Sequence, residues 1–230
     1  MFHTKKIQNK TVYFSDKLDV EHFFTSRELI VKENKDLISD YLKIEKDNLI
    51  CPNQTHSDNV ELVKENVKEY PSCDGLILNK KNIAIYLNFA DCTPLIFYDW
   101  KNNIGAVSHA GWRGTAQKIG PKTILKMKDL FNTDPKNVIA LIGPCISFDE
   151  FETSFEVIDE LSKTVSDKNN IFNLKTSHAD LKGINKRQLE ELGVVEIDVC
   201  PFCTVLDNDK FFSYRKENKT KNRHSALIKL

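Results

Sequence analysis

Residues 83–115 read IAIYLNFADCTPLIFYDWKNNIGAVSHAGWRGT, and the architecture follows from them. Three apolar runs, 83–89, 95–98 and 104–108, carry few polar interruptions. A strand wetted on one face alternates apolar and polar residues, so near-continuous apolar strands are expected where both faces of a sheet are covered. Between the first two runs stand Ala90, Asp91, Cys92, Thr93 and Pro94. Proline has no N–H to donate, so Pro94 is expected to interrupt the ladder beside Cys92. The third run delivers His109 ahead of Gly111, Trp112, Arg113, Gly114 and Thr115, where the glycines permit tight turns and close backbone approach.

The pattern continues outward. Residues 49–51 read as a strand running into Pro52, Asn53, Gln54, Thr55 and His56, which leaves His56 at a strand end or on a loop. Asp74 and Gly75 read as a turn before LILN at 76–79. Ile119, Ile124, Met127 and Phe131 recur near the helical period, predicting a helix from Thr115, its cap, to about Phe131, with Pro121 arguing for a break or a late start. Residues 138–142 predict a strand, and 151–165 a helix with Phe155, Ile158 and Leu161 on one face. A helix over 180–192 is stopped by Gly193, and 194–199 returns to strand. The N-terminal part adds short strands at 12–14 and 21–24 and a small helix over 34–42. The whole predicts an α/β fold, and with no Pro-, Gly- or Ser-rich linker residues 1–230 are expected to form a single domain.

Thirty-three Lys and Arg balance 33 Asp and Glu, so no net field draws the protein to DNA, RNA or an anionic membrane. Nucleic acid is not expected as a partner. Arg215, Lys216, Lys219, Lys221, Arg223 and Lys229 do gather near the C-terminus, where a solvated tail or the wall of a phosphate site is the expected use. No apolar run approaches the roughly 20 residues that span a bilayer, and MFHTKKIQNKTVYF lacks the core of a secretion signal, so a cytoplasmic location is expected. The six cysteines are expected as reduced thiols in a chain long enough to fold without staples. Cys200 and Cys203 have no second close CxxC to complete a structural zinc site.

His56, Cys92 and His109 each stand by a strand end, a turn or a proline, where loops on a rigid scaffold converge. Two imidazoles and a thiolate would give zinc three ligands and leave a fourth position for water or substrate. The spacing leaves a second reading open, with His56 a solvated turn residue, Cys92 a small buried hydrophobe and His109 a hydrogen-bonded core group.

The strings NQTH ending at His56, ADCTP around Cys92, HAGWRG from His109, GPCI from Gly143, DVCPFCT at 198–204 and FSYR at 212–215 together resemble the laccase-domain family. That family is also called multicopper polyphenol oxidoreductase laccase-like proteins or laccase-like purine nucleoside phosphorylases. The resemblance implies mixed β-sheets sandwiched by outer helices in α/β/β/α layers, with His56, Cys92 and His109 as metal ligands. It implies phosphorolysis of adenosine, inosine and S-methyl-5′-thioadenosine, and adenosine deamination, with purine nucleosides and phosphate as partners in a monomer or weak homo-oligomer. The implied cofactor is zinc, with copper the ion of the family's older name. Six histidines cannot supply several copper centres, whereas zinc polarises substrates without redox chemistry.

On that resemblance, Asp74 and Asp91 are candidates for proton transfer. Their alternatives are starting the Asp-Gly turn and capping backbone near Cys92. Arg113 is placed to hold phosphate, or to form a surface salt bridge. Arg27 and Arg215 would reach the same anion or fix loops. Gln54 would orient a purine edge or satisfy backbone at a strand end, and Trp112 would wall the purine or anchor a helix. Two departures bear on the substrate: Glu28, Leu29 and Ile30 replace a GGxS-like run, and Thr220, Lys221, Asn222 and Arg223 stand where Thr-Gly-Arg is expected. The alternative functions are a cysteine- or metal-dependent amide hydrolase editing cell-wall precursors, a copper-dependent polyphenol oxidase, and a non-catalytic nucleotide-binding protein.

Overall fold

A computed structural model describes residues 1–65 and 67–230. The chain opens with β1 (Phe2–Ile7), β2 (Lys10–Ser15) and β3 (His22–Thr25), followed by α1 (Lys35–Leu42). Short β4 (Leu49–Ile50) and β5 (Val60–Leu62) precede β6 (Gly75–Leu78), β7 (Ala84–Phe89), β8 (Thr93–Asp99) and β9 (Ile104–Ala110). Then come α2 (Trp112–Ala116), α3 (Ile119–Phe131), β10 (Val138–Ile142) and α4 (Phe155–Ser162). A small hairpin of β11 (Phe172–Asn173) and β12 (His178–Ala179), α5 (Leu181–Leu192), β13 (Glu196–Val199) and β14 (His224–Lys229) complete the order.

One sheet runs β1-β2-β3-β14-β7-β4 and the other β13-β10-β8-β9-β6-β5. They pack face to face through Tyr13, Phe24, Leu87 and Phe89 of the first and Leu76, Ile96, Val107 and Leu141 of the second. α1 covers the outer face of the first sheet, with Ile38 and Leu42 in the cluster of Phe23, Tyr86 and Leu227. α3 and α5 cover the second, with Ile124, Met127 and Leu189 in the cluster of Leu95, Phe97 and Ala140. The layers are therefore α/β/β/α. Along β8, Ile96 and Tyr98 face the inter-sheet core while Leu95 and Phe97 face the helices, which is why residues 95–98 carry no polar face.

Several local expectations are corrected. Pro94 lies inside β8, opposite His109, and does not break the ladder. His109 turns its N–H to the Asp74 carbonyl at 2.8 Å, on the other side from Pro94. The last β8–β10 pair is Leu95 with Ile142, so no ladder bond is asked of the missing N–H. Gly75 begins β6 and forms no turn; its lack of a side chain lets β5 approach, since a Cβ there would lie 2.9 Å from Val60 Cγ2. Thr115 sits within α2 and is not a cap; Gly111 holds that position. The chain turns at Lys118, φ 58°, and α3 starts at Ile119, which leaves Pro121 in a first turn that tolerates it. α4 is shorter than residues 151–165, begins after the Ser154 cap, and leaves Phe155 61% exposed. The central strand β14 has no counterpart among the sequence expectations.

β14 buries His224 completely, with its ring 5.3 Å from that of Phe211, and neither ring nitrogen has a hydrogen-bond partner among the described residues. Burial, with the Arg223 charge adding to it, pushes this imidazole down from 6.5 to about 3. Between those values the unfolded chain binds a proton that the folded chain refuses, so stability falls as pH drops, by about 1.4 kcal/mol per pH unit. His224→Leu is expected to flatten the dependence of unfolding free energy on pH between 6.5 and 4, measured by urea denaturation at each pH. An unchanged slope would show that His224 does not set it.

Candidate active site

Three segments bring the donors together. His56 follows β4 with φ 61°, Cys92 closes the turn between β7 and β8, and His109 is the penultimate residue of β9. Because Thr93 pairs with Ala110 and Pro94 with His109, the ladder itself sets Cys92 beside His109. One donor atom from each of the three residues lies within 4.8 Å of the others, and the imidazole rings sit 4.8 Å apart at 73°. A Cβ on Gly111 would stand 3.0 Å from Cys92 Sγ and 3.4 Å from His56 Cδ2, so glycine there leaves the cluster its room.

Asp74 holds two of the donors from behind. Its buried carboxylate accepts from the N–H groups of Thr55 (3.0 Å), His56 (3.1 Å) and Ser57 (2.7 Å), from Ser57 Oγ (2.8 Å) and from His109 Nδ1 (2.8 Å). It fixes the loop that carries His56, and it leaves Nε2 of His109 to face the cluster. Burial alone would raise this carboxyl, but its donors outweigh burial and hold it well below the usual carboxylate range.

Asp91 organises the Cys92 turn in the same manner. It stands at φ 81°, a costly conformation for a residue with a side chain. Thr204 Oγ1 donates to its Oδ1 at 2.6 Å, the Arg215 N–H to its Oδ2 at 2.7 Å, and the Ile146 N–H to its carbonyl at 3.0 Å. Three distant segments, those of Ile146, Thr204 and Arg215, thus close on one residue next to Cys92.

Charge in the cluster follows from this packing. Burial raises the Cys92 thiol, but the His109 charge and hydrogen bonds from both histidines prevail and bring it from 9.0 down to about 6. Burial likewise disfavours charge on His109, and the Cys92 thiolate and Asp74 reverse that, lifting it to about 9. A thiolate is the form of cysteine that binds metals.

The cluster opens on a cleft of about 560 Å³, within the usual range for small-molecule sites. Of the residues singled out from sequence, His56, Asp91, Cys92, Trp112, Arg113 and Arg215 line it. Gln54 does not. Its amide closes a two-bond ring with the backbone of Asn88, at 2.9 and 2.8 Å, the strand-end role that was its alternative. Arg27 lies outside the cleft wall as well, bonded to the Asn208 carbonyl and to Glu217 and set over the Phe212 ring. Asp74 is behind the cluster. Sequence reasoning missed Phe151, Tyr214 and Asn218 on the wall, whereas Lys219 and Arg223 belong to the basic segment for which a solvated tail or the wall of a phosphate site was expected.

The donor set suits zinc: one thiolate, two imidazoles, a carboxylate fixing one ring, and glycine clearing the space. Among the described residues this is the one cluster of three or more such donors. His3 bonds to Asp16, His22 to Val20 and Ser15, and His178 to Thr176, while His224 lies alone in the core.

The chain is similar to known proteins in both sequence and fold. A purine nucleoside phosphorylase of Bacteroides thetaiotaomicron is 31% identical over 201 residues, 81% of this chain and 74% of that protein. A protein named adenosine deaminase RL5, from an unknown prokaryotic organism, is 32% identical over 190 residues, 76% of this chain and 72% of its own length. The crystal structure of Bacillus licheniformis hypothetical protein YfiH superposes with a TM-score of 0.90 at 23% identity, covering 98% of both chains, and so shares the fold. With its match running over residues 3–230, the chain belongs to the family described as multi-copper polyphenol oxidoreductase laccase.

Proposed function

We propose that this protein is a zinc-dependent purine nucleoside phosphorylase acting on adenosine, inosine and S-methyl-5′-thioadenosine, and that it also deaminates adenosine. We place it in the cytoplasm, as one domain over residues 1–230. The observation that carries the reading is a three-donor cluster at the head of a cleft walled by both cations and aromatic rings. The names of the two relatives, a phosphorylase and a deaminase, support the same pair of reactions.

In phosphorolysis an oxygen of inorganic phosphate bonds to the anomeric carbon while the C–N bond breaks. The electron pair leaves with the purine, which takes a proton, and ribose 1-phosphate remains, or its 5-methylthio analogue when the substrate is S-methyl-5′-thioadenosine. Arg113, on the cleft wall and stacked on Trp112, can hold the anion against the sugar. The rings of Trp112, Phe151 and Tyr214 offer stacking faces for the base, and Ile146 and Leu181 an apolar seat for a 5′ substituent. In deamination water adds at C6 of adenosine and ammonia departs, leaving inosine. Zinc held by His56, Cys92 and His109 would polarise a substrate group or bring the pKa of water toward about 7. Asp74, spent on five donors, positions the cluster, and Asp91 positions the Cys92 turn, so we assign neither to proton transfer.

A polyphenol oxidase would call for several copper centres, and the one cluster among the described residues favours zinc over that chemistry. One observation does favour a second reading: Cys92, His109 and Asp74 also follow one another as nucleophile, base and orienting carboxylate of a cysteine hydrolase. Product analysis tests the proposal. Free base released from inosine only with phosphate present, and inosine with ammonia from adenosine, are expected. Neither product at high enzyme concentration would refute both activities and leave the cysteine hydrolase or a binding protein.

A further inference from the structure

Of the four cations on the cleft wall, two are committed to the chain itself. The Arg215 guanidinium donates to the carbonyls of Glu150 and Glu152, each at 2.8 Å, and Arg223 donates to those of Thr220 and Asn222 at 2.6 and 2.7 Å. Their charge faces the cavity, but their positions are set. The other two are Arg113, over the Trp112 ring at 4.3 Å, and Lys219. Neither of these side-chain cations makes a hydrogen bond or an ion pair among the described residues. Asp91, the carboxylate of this wall, is already consumed by Thr204 and the Arg215 N–H.

Lys219 is exposed, but its backbone is held in place. It and Asn218 are consecutive non-glycine residues in left-handed backbone, φ 66° and 49°, a conformation that persists only where its surroundings enforce it. Those surroundings are built. The Glu217 carboxylate accepts from the Ser213 N–H (3.0 Å), Asn208 Nδ2 (2.7 Å) and Arg27 (3.2 Å), and the Lys219 N–H reaches the Tyr214 carbonyl at 2.8 Å. The corner is braced from behind, and both of its residues line the cleft. Arg27, which the sequence suggested for the anion itself, therefore serves the turn that presents a different cation.

We propose that Lys219 is a phosphate-binding residue of this site, acting with Arg113 on inorganic phosphate while Arg215 and Arg223 form the fixed wall. The proposal rests on the phosphorylase reading for its purpose and on the geometry for its location. Calorimetric titration of inorganic phosphate and steady-state phosphorolysis of inosine test it. Lys219→Ala is expected to raise both the Kd and the KM for phosphate about tenfold, the loss of one charge-assisted contact. The KM for inosine should move by less than about twofold, and Lys219→Arg should recover most of the loss. Phosphate binding within about twofold of the unsubstituted protein in Lys219→Ala overturns the assignment, and so does an unsubstituted protein that binds no phosphate. Weakened phosphate binding in a protein that releases no free base would uphold the anion site and remove the phosphorylase reading.

Discussion

Asp74→Asn is expected to lower zinc affinity by about 10- to 100-fold, the usual effect of losing the group that orients a metal-binding histidine. The carboxylate receives five donors and an amide cannot. Its NH₂ would meet the N–H groups of Thr55, His56 and Ser57 or the His109 ring, donor against donor. Breaking a buried charged contact of this kind costs about 3–5 kcal/mol, so the melting temperature should fall as well. Competition with a chromogenic chelator, on protein shown to be folded by circular dichroism, separates the two effects. A folded Asp74→Asn protein that melts early yet binds zinc like the unsubstituted chain would make Asp74 a scaffold residue only.

Removing a donor should be more severe. Cys92→Ala is expected to abolish stoichiometric zinc and to cut phosphorolysis and deamination together by at least about 100-fold, since Lewis-acid stabilisation is worth several kcal/mol and each 1.4 kcal/mol is a factor of ten. His56→Ala distinguishes this account from the cysteine hydrolase. His56 shares the cluster but stands outside the line from Cys92 through His109 to Asp74. A metal site loses its ion when His56 goes; a cysteine nucleophile with its own base does not need it. Retained activity in His56→Ala with loss in Cys92→Ala would favour the nucleophile.

Much of the fold was legible because the apolar runs within residues 83–115 belong to strands covered on both faces, and covering leaves an apolar signature. β14 was missed because its buried run follows a basic stretch and is sandwiched by β3 and β7, partners far away in sequence. Asp74-Gly75 carries a turn signal, but packing against Val60 determines what the glycine does. The same division runs through the site. His56, Cys92 and His109 were legible as donors beside strand ends and within motifs. What the aspartates do was not, since Asp91 meets Thr204 and Arg215 from 113 and 124 residues away. Gln54 lies two residues from a donor, yet its side chain turns to the Asn88 backbone, a choice that spacing does not encode.

Metal content and Cys92 reactivity, measured on the unsubstituted protein after reconstitution with zinc, test the central claim most directly. About one tightly held zinc per chain is expected, with Cys92 protected from alkylation until a chelator strips the ion. A folded protein that retains no zinc, and whose Cys92 is alkylated at the same rate with and without chelator, would contradict a metal held by His56, Cys92 and His109.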